Sequence, residues 1–278
     1  MIHQLNIYGK DKVETSINRI KTFEPPEGYY LAFSGGKDSV VIKALADMAG
    51  VKYDAHYNIT SVDPPELVQF VKSFPDVARD HQYWDRDGTF VKKGDPITMW
   101  NLIPEKGLLP TRIIRYCCAY LKEQSGHDRF VITGVRHAES VRRGRRGGLE
   151  VPGEENENER ERVDPDNPNQ ELIHICQRKS SRILNPIIDW TDDEVWEFIH
   201  EYNLRYCKLY DQGYKRLGCI GCPMNRHAKS EFERYPKYKA NYMKAIERMI
   251  ERNRIKGKAS TGYNTAEEWW DWWVCDKK

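Results

Sequence analysis

Tyr29-Tyr30-Leu31-Ala32-Phe33-Ser34-Gly35-Gly36-Lys37-Asp38-Ser39, followed by Val40 to Ala49 and then Gly50, is the stretch that decides the fold. A short apolar run enters a glycine pair, and a helical pattern leaves it, closing at Gly50 in a C-terminal cap position. The two glycines let the backbone turn tightly and come close to a ligand. Amide groups at the start of the new helix face that ligand, and the helix dipole favours an anion there. Ser34, Ser39 and Lys37 add side-chain donors. Strand, glycine turn and helix together predict a phosphate site. The spacing is not that of a Walker loop, which needs four residues between its glycine and the Gly-Lys-Ser/Thr. A plain strand–turn–helix junction is the bland alternative, and the complete string from Ser34 to Ser39 weighs against it.

Outward from this point, helices and strands alternate. Val13, Ile17, Ile20 and Phe23 give residues 11–23 an amphipathic helical pattern, stopped by Pro25-Pro26 and Gly28. Residues 51–57 read as a strand, 65–74 as a helix, and 130–133 as a strand running straight into Gly134-Val135-Arg136. Such alternation predicts an α/β fold, a doubly wound and mostly parallel sheet whose ligands bind at the carboxyl ends of the strands. Residues 150–170 are rich in Glu, Asn and Pro and read as a mobile loop. Thr191 with Glu194 forms a capping box for a helix over 191–202. Residues 237–254 and 265–274 read as further helices, the last carrying Trp269, Trp270, Trp272 and Trp273, which are expected to pack onto the main domain. The expected organisation is an N-terminal helix within 1–27, a nucleotide-binding and catalytic domain over 28–225, and a helical C-terminal extension over 226–278.

The chain has 278 residues, 31% of them charged, with 44 Lys and Arg against 42 Asp and Glu. A net charge of +2 leaves any anion site to local clustering. No apolar run is long enough for a membrane span. The start, Met1-Ile2-His3-Gln4-Leu5-Asn6, lacks the pattern of a secretory signal, so a cytoplasmic protein is expected. Arg136, Arg142, Arg143, Arg145 and Arg146 make one basic run. Arg136, Arg142 and Arg143 are candidate clamps for phosphate or sulfate, since guanidinium groups fork onto such oxygens. Arg145 and Arg146 are either solvated or placed to touch a larger anion such as nucleic acid.

Seven cysteines, an odd number, argue against a disulfide framework. Cys176, in Leu172-Ile173-His174-Ile175-Cys176, reads as a core residue. Cys117-Cys118 and Cys219-Ile220-Gly221-Cys222 stand out as pairs. Four thiolates can close a zinc site or hold a [4Fe–4S] cubane, and four buried thiols remain the plain alternative. Adjacent cysteines point apart in most backbone conformations, which suits the separate corners of a cubane better than one small ion. Cys207 is a further candidate that could replace one of the adjacent pair.

Several strings carry a family resemblance. Ser34 to Ser39 resembles the SGGxDS signature of the PP-loop ATP pyrophosphatase superfamily, whose fold is adenine nucleotide alpha-hydrolase-like (HUP-type). Arg115-Tyr116-Cys117-Cys118 with Leu121-Lys122, and Gly218-Cys219-Ile220-Gly221-Cys222-Pro223, are similar to the CC…CxxC pattern of the cluster-containing adenylyl-sulfate reductases in the PAPS reductase branch. Gly134-Val135-Arg136-His137-Ala138-Glu139-Ser140 looks like that branch's arginine segment. Asn185-Pro186-Ile187-Ile188-Asp189-Trp190-Thr191 with Glu194-Val195-Trp196 looks like its "NP…DWT…E/DVW" segment, and residues 60–66 loosely match its nucleotide-contacting loop. The resemblance runs from about residue 28 to 225.

The resemblance implies an adenine nucleotide, ATP or adenylyl sulfate, held by Ser34, Gly35, Gly36, Lys37, Asp38, Ser39, Arg136, Arg142 and Arg143. Lys37, Asp38 and Arg136 would act in catalysis, with Asp38 helping to hold Mg²⁺. It also implies a [4Fe–4S] cluster on Cys117, Cys118, Cys219 and Cys222. The reductases carry a catalytic cysteine in a Glu-Cys-Gly-Leu/Ile-His tail, whereas here the flanks are Trp273-Val274-Cys275-Asp276-Lys277-Lys278. A second class in the branch fits better: ATP pyrophosphatases that take part in sulfur incorporation, notably DNA phosphorothioation, with a cysteine desulfurase as partner. The reductase reading, with a thioredoxin-type partner, is the first alternative. A non-catalytic nucleotide-binding adaptor of a sulfur-transfer complex is the second.

Overall fold

The computed structural model describes residues 11–141, 143–152, 160–166, 182–225, 228–258 and 262–275. The chain forms two compact units that interleave in sequence: Met1–Tyr57, Glu66–Arg79 and Gly126–Arg216 in the first, Asn58–Pro65, Asp80–Ser125 and Leu217–Lys278 in the second. Residues 217–225, expected with the nucleotide domain, fall in the second unit beside the C-terminal helices.

The first unit is built on a sheet of strands β1 (Tyr29–Ala32), β2 (Tyr53–Asn58), β3 (Val77–Asp80), β4 (Val131–Ile132), β5 (Leu149–Pro152), β6 (Arg160–Val163) and β7 (Ile183–Leu184). Their order is β3-β2-β1-β4-β7-β5-β6. β1 runs parallel to β2 and to β4, and β4 parallel to β7. The expected mostly parallel α/β sheet is present. β1 lies inside the sheet between β2 and β4, with Tyr29 and Leu31 wholly buried, as an interior parallel strand requires.

The stretch 150–170 departs from expectation. Residues 149–152 and 160–163 pair as an antiparallel hairpin on the far edge of the sheet, Leu149 opposite Val163 and Val151 opposite Glu161. Leu149 and Val151 are buried, and the intervening Glu150 is buried beneath Arg146, which pairs with it. The polar composition hid a strand with only two inward apolar residues. Cys176 lies outside the described residues.

Three helices flank the central strands: α1 (Lys12–Thr22), α2 (Lys37–Ala49) and α3 (Pro65–Lys72). α1 starts at Asp11, whose carboxylate accepts the amides of Val13 and Glu14. Gly50 caps α2 in the left-handed conformation at φ 68°. In the second unit lie α4 (Met99–Lys106) and α5 (Tyr116–Leu121). α6 (Asp192–Glu201) belongs to the first unit and shows the capping box between Thr191 and Glu194. α7 (Ala228–Arg234), α8 (Pro236–Ile255) and α9 (Ala266–Cys275) complete the second unit.

The second unit has its own core, in which Leu102, Ile103, Ile220, Phe232, Tyr242, Met249 and Trp273 are buried together. The tryptophans of α9 pack into this core, and the Trp273 indole donates to the Pro110 carbonyl at 2.8 Å. Among the described residues, no helix is long and apolar enough to cross a membrane.

Candidate functional site

The glycine turn lies at the carboxyl end of β1, where a parallel sheet binds ligands. Gly35 has φ 74°, and a Cβ there would lie 2.7 Å from Leu67 and 2.8 Å from Val71. This glycine is required by both backbone conformation and packing. Gly36 differs: it is extended, and a Cβ would meet Ser34 Oγ at 3.4 Å and the Tyr210 hydroxyl at 3.5 Å. The fold tolerates a side chain at Gly36, so its glycine serves the open side of the turn. Gly134 lets the end of β4 approach the start of α2, since a Cβ would sit 2.9 Å from the Asp38 backbone.

That approach brings Arg136 to Asp38. The Arg136 side chain is only 1% exposed. Its Nε donates to Asp38 Oδ1 at 2.6 Å, its Nη1 to the Trp190 carbonyl at 3.2 Å and its Nη2 to Asp192 Oδ1 at 2.8 Å. Lys37 Nζ stands 3.0 Å from the same Asp192 oxygen and 3.8 Å from Asp38 Oδ2. Burial raises the Asp38 pKa, and the charges of Lys37 and Arg136 pull against that rise. Burial also opposes the Arg136 charge, but Asp38 and Asp192 outweigh it, so the guanidinium stays ionised.

Arg136 is, by its place after β4, a candidate clamp on phosphate or sulfate. In the structure its fork is already engaged by two carboxylates and a carbonyl, so it positions Asp38 and the start of α6. Arg143 pairs with Glu139 and Arg146 with Glu150, so two more members of the basic run are neutralised locally. Arg145 is exposed. Arg142 lies outside the described residues.

Tyr210 and Asp192 were missed in the sequence. The Tyr210 hydroxyl oxygen accepts the Lys37 amide at 2.9 Å, and its ring centroid is 5.9 Å from Lys37 Nζ. Burial lifts its pKa, keeping the phenol protonated. Nothing in Leu209-Tyr210-Asp211 marks it, because the contact spans 173 positions. Asp192 had a signal: it is the first helical residue after the capping Thr191.

The cysteine set lies in the second unit. Gly221, at φ 72°, turns the chain between Cys219 and Cys222, and the Cys222 amide donates to the Cys219 carbonyl at 3.1 Å. The turn is clamped on each side. Ile220 is buried, its amide donates to the Val62 carbonyl and its carbonyl accepts from the Tyr242 hydroxyl. The Gly221 amide donates to Glu231 at 3.1 Å. Cys219 Sγ is 3.6 Å from Asp63 and 3.7 Å from Thr60 Oγ1. Cys117 and Cys118 occupy the first turn of α5, and Arg115 Nη2 donates to Cys118 Sγ at 3.2 Å.

Three of the four thiols are shifted by their surroundings. The hydrogen bond to Cys118 and then burial push the Cys117 thiol up, with Cys118, Cys219 and Cys222 adding to the rise. The same bond from Cys117, and then Arg115, pulls Cys118 down against burial. Burial pushes Cys219 up to about 12 while Lys122 opposes it. Cys207 lies buried in the first unit, and burial raises its thiol among Glu66, Lys208 and Asp211. Among the described residues, no three His, Cys, Asp or Glu side chains converge closely enough to hold a single metal ion. The donor set is four thiols in one unit, with Arg115 and Lys122 beside them as counter-charges.

An uncharacterized protein of Methanocaldococcus jannaschii is 27% identical over 212 residues, covering 71% of this chain and 42% of that protein. An adenosine 5′-phosphosulfate reductase of Staphylococcus haemolyticus is 41% identical over 58 residues, 21% of this chain and 24% of the reductase. A probable FAD synthase of Schizosaccharomyces pombe is 25% identical over 200 residues, 70% of this chain and 60% of the synthase. The matched part therefore spans less than two thirds of each relative's own length. Among solved structures, the FMN adenylyltransferase of Candida glabrata aligns at a TM-score of 0.44 and 14% identity, covering 76% of this chain and 61% of that one. The family model for the phosphoadenosine phosphosulfate reductase domain matches residues 28–225, well over half of the sequence. The chain therefore belongs to the phosphoadenosine phosphosulfate reductase domain family.

Proposed function

We propose that the chain is an ATP pyrophosphatase that acts at the α-phosphorus of ATP and activates an acceptor for sulfur incorporation. The observation that carries this reading is the turn from Ser34 to Ser39, with Lys37 drawn to its start by Asp192 and Tyr210. Relatives named as a FAD synthase and as adenosine 5′-phosphosulfate reductases share an adenylyl group as their common chemistry, which supports an adenine nucleotide here. The turn would take the β- and γ-phosphates on its amides and on Lys37. Mg²⁺ would arrive with the nucleotide, and Asp38 Oδ2 is the oxygen that Arg136 does not take. An acceptor phosphate oxygen would attack the α-phosphorus and pyrophosphate would leave; the terminal sulfur of a persulfide on a cysteine desulfurase partner would then displace AMP, and a thiol reductant would cleave the remaining S–S bond. A nucleic acid backbone is one such acceptor, as in DNA phosphorothioation; among the described members of the basic run, Arg145 is exposed to meet it.

Cys117, Cys118, Cys219 and Cys222 fit a [4Fe–4S] group. They are four thiols in one unit, flanked by Arg115 and Lys122, the donor number that a cubane takes. Such a group supplies electron transfer and Lewis acidity when bound. The chain's own contribution is to hold these thiols on a clamped turn and a short helix.

The matches to adenosine 5′-phosphosulfate reductases favour a second reading, reduction of a nucleotide sulfate. Parallel assays of anaerobically purified protein with ATP, adenylyl sulfate and its 3′-phosphorylated form separate the two. Pyrophosphate from ATP supports the first. Sulfite from a nucleotide sulfate, with none of that pyrophosphate, replaces it with the second. Binding of nucleotide with no product in any arm leaves the adaptor.

A further inference from the structure

Asp192 belongs to no motif that the nucleotide reading uses, yet its carboxylate bridges Lys37 of the turn and Arg136 of the loop after β4. Its Oδ1 is 3.0 Å from Lys37 Nζ and 2.8 Å from Arg136 Nη2. Lys37 and Arg136 supply two positive charges, and Asp38 and Asp192 two negative ones, so these four groups sum to zero. A polyphosphate entering there meets no excess of positive charge until one carboxylate gives way. The two carboxylates differ in how easily they can. The Asp38 side chain is 20% exposed and the Asp192 side chain 59% exposed. Releasing Asp38 would strand a charge in poorly solvated surroundings, whereas Asp192 already stands at the water edge. Asp192 is also the first helical residue after Thr191, so a side-chain rotation frees it without unwinding α6. Glu194 of the same turn cannot stand in for Asp192, because it is held by Lys12 and by the cap.

We propose that Asp192 is an internal counter-anion for Lys37 and Arg136, displaced by an entering phosphate chain, and so a positioning residue that sets affinity for that chain. The inference rests on the phosphate reading of the turn. It predicts a sign opposite to that of a merely structural ion pair. Loss of a structural clamp would disorder Lys37 and weaken anion binding. Loss of a competing anion strengthens it.

The test is calorimetric titration of the intact chain with inorganic pyrophosphate, at low and at moderate salt. Asp192→Asn is expected to bind about tenfold more tightly than wild type at low salt, by the attraction between near-surface charges. Its affinity should also fall more steeply with salt. Asp192→Glu, which restores a carboxylate, should return toward wild type. Should Asp192→Asn melt early, Asp192→Ser carries the same expectation, since it too leaves both cations without a carboxylate. Equal or weaker binding by a folded variant, with wild type binding normally, would overturn the counter-anion alone. Binding by neither protein would overturn the phosphate reading as well.

Discussion

Arg136 Nε and Asp38 Oδ1 meet at 2.6 Å across 98 positions of sequence, joining the loop after β4 to the first turn of α2. The arginine is almost wholly buried, so its removal strands Asp38 in surroundings that already raise its pKa. Arg136→Ala should cost about 3–5 kcal/mol of stability, the usual penalty for orphaning a buried charge. Adding Asp38→Asn to that variant should recover part of the loss, because the stranded charge is gone. Chemical denaturation of the single and double variants gives the comparison. A double variant as unstable as the sum of its parts would mean the two groups act independently.

Lys37→Ala and Gly36→Val should each abolish adenine-nucleotide binding while leaving the fold intact. The space around Gly36 explains the second half of that expectation, since its nearest neighbours stand 3.4 and 3.5 Å from a Cβ. Gly35→Val is the contrast: Leu67 and Val71 crowd it and φ is positive, so this variant should lose stability by at least about 1 kcal/mol. Calorimetry with ATP and a thermal melt of all three separate the roles. Unchanged ATP affinity in both Lys37→Ala and Gly36→Val would remove the nucleotide from this turn.

The strand, the glycine turn and the opening helix were legible because their signals are local. Apolar run, Gly-Gly and Gly50 lie within one window of the chain. The Thr191–Glu194 box was legible for the same reason. What escaped the sequence depends on pairing at a distance. Tyr210 meets Lys37 across 173 positions, and no periodicity records that. The engagement of Arg136 escaped because a guanidinium at a strand end reads alike whether its partner is a ligand or a buried carboxylate. The β5–β6 hairpin escaped because two inward residues, Leu149 and Val151, are too few to outweigh a polar composition.

Anaerobically purified protein should be brown, with about one [4Fe–4S] group per chain, as four thiolates allow. Cys219→Ser and Cys222→Ser should lose iron and sulfide together, since the clamped Gly221 turn holds both sulfurs on one short segment. Cys207→Ser should retain them, because that thiol is buried, 1% exposed. Iron, zinc and sulfide are measured on the same samples. Stoichiometric zinc without iron would sink the cubane, and iron retained in both the 219 and 222 variants would mean the ligands lie elsewhere.

Asp54 gives the protein a defined acid sensitivity. Burial raises its pKa, but hydrogen bonds from Arg129, at 2.6 Å, and from His56 outweigh that and leave it below the ordinary value. A folded-state pKa below the unfolded one, about 3.9, gives stability that is present above that pH. It is lost as pH falls through the folded value. The carboxylate is 46% exposed, so the contribution is small. Arg129→Met should therefore be less stable than wild type near neutrality, with the gap narrowing below about pH 4. Urea midpoints across that range measure the gap, and a difference that stays constant with pH would remove Asp54 as its cause.

Cys275 separates the two chemistries. Reduction of a nucleotide sulfate needs a thiolate to attack sulfur, and by its place in the sequence Cys275 is the cysteine that resembles the reductases' nucleophile. Its flanks, Val274 and Asp276, are not those of the Glu-Cys-Gly tail. It also closes α9, on which Trp269, Trp270 and Trp273 are buried in the second unit. Attack at the α-phosphorus of ATP asks nothing of a thiol, since an acceptor oxygen is the nucleophile and pyrophosphate the leaving group. Cys275→Ser should thus release pyrophosphate from ATP at a rate within about twofold of wild type, a difference under about 0.5 kcal/mol in barrier. Wild type should carry no sulfonate on Cys275 after incubation with adenylyl sulfate, as read by mass spectrometry of the tryptic peptide. Sulfite release driven by a thioredoxin-type donor and abolished by Cys275→Ser would reverse the assignment and make the chain a reductase.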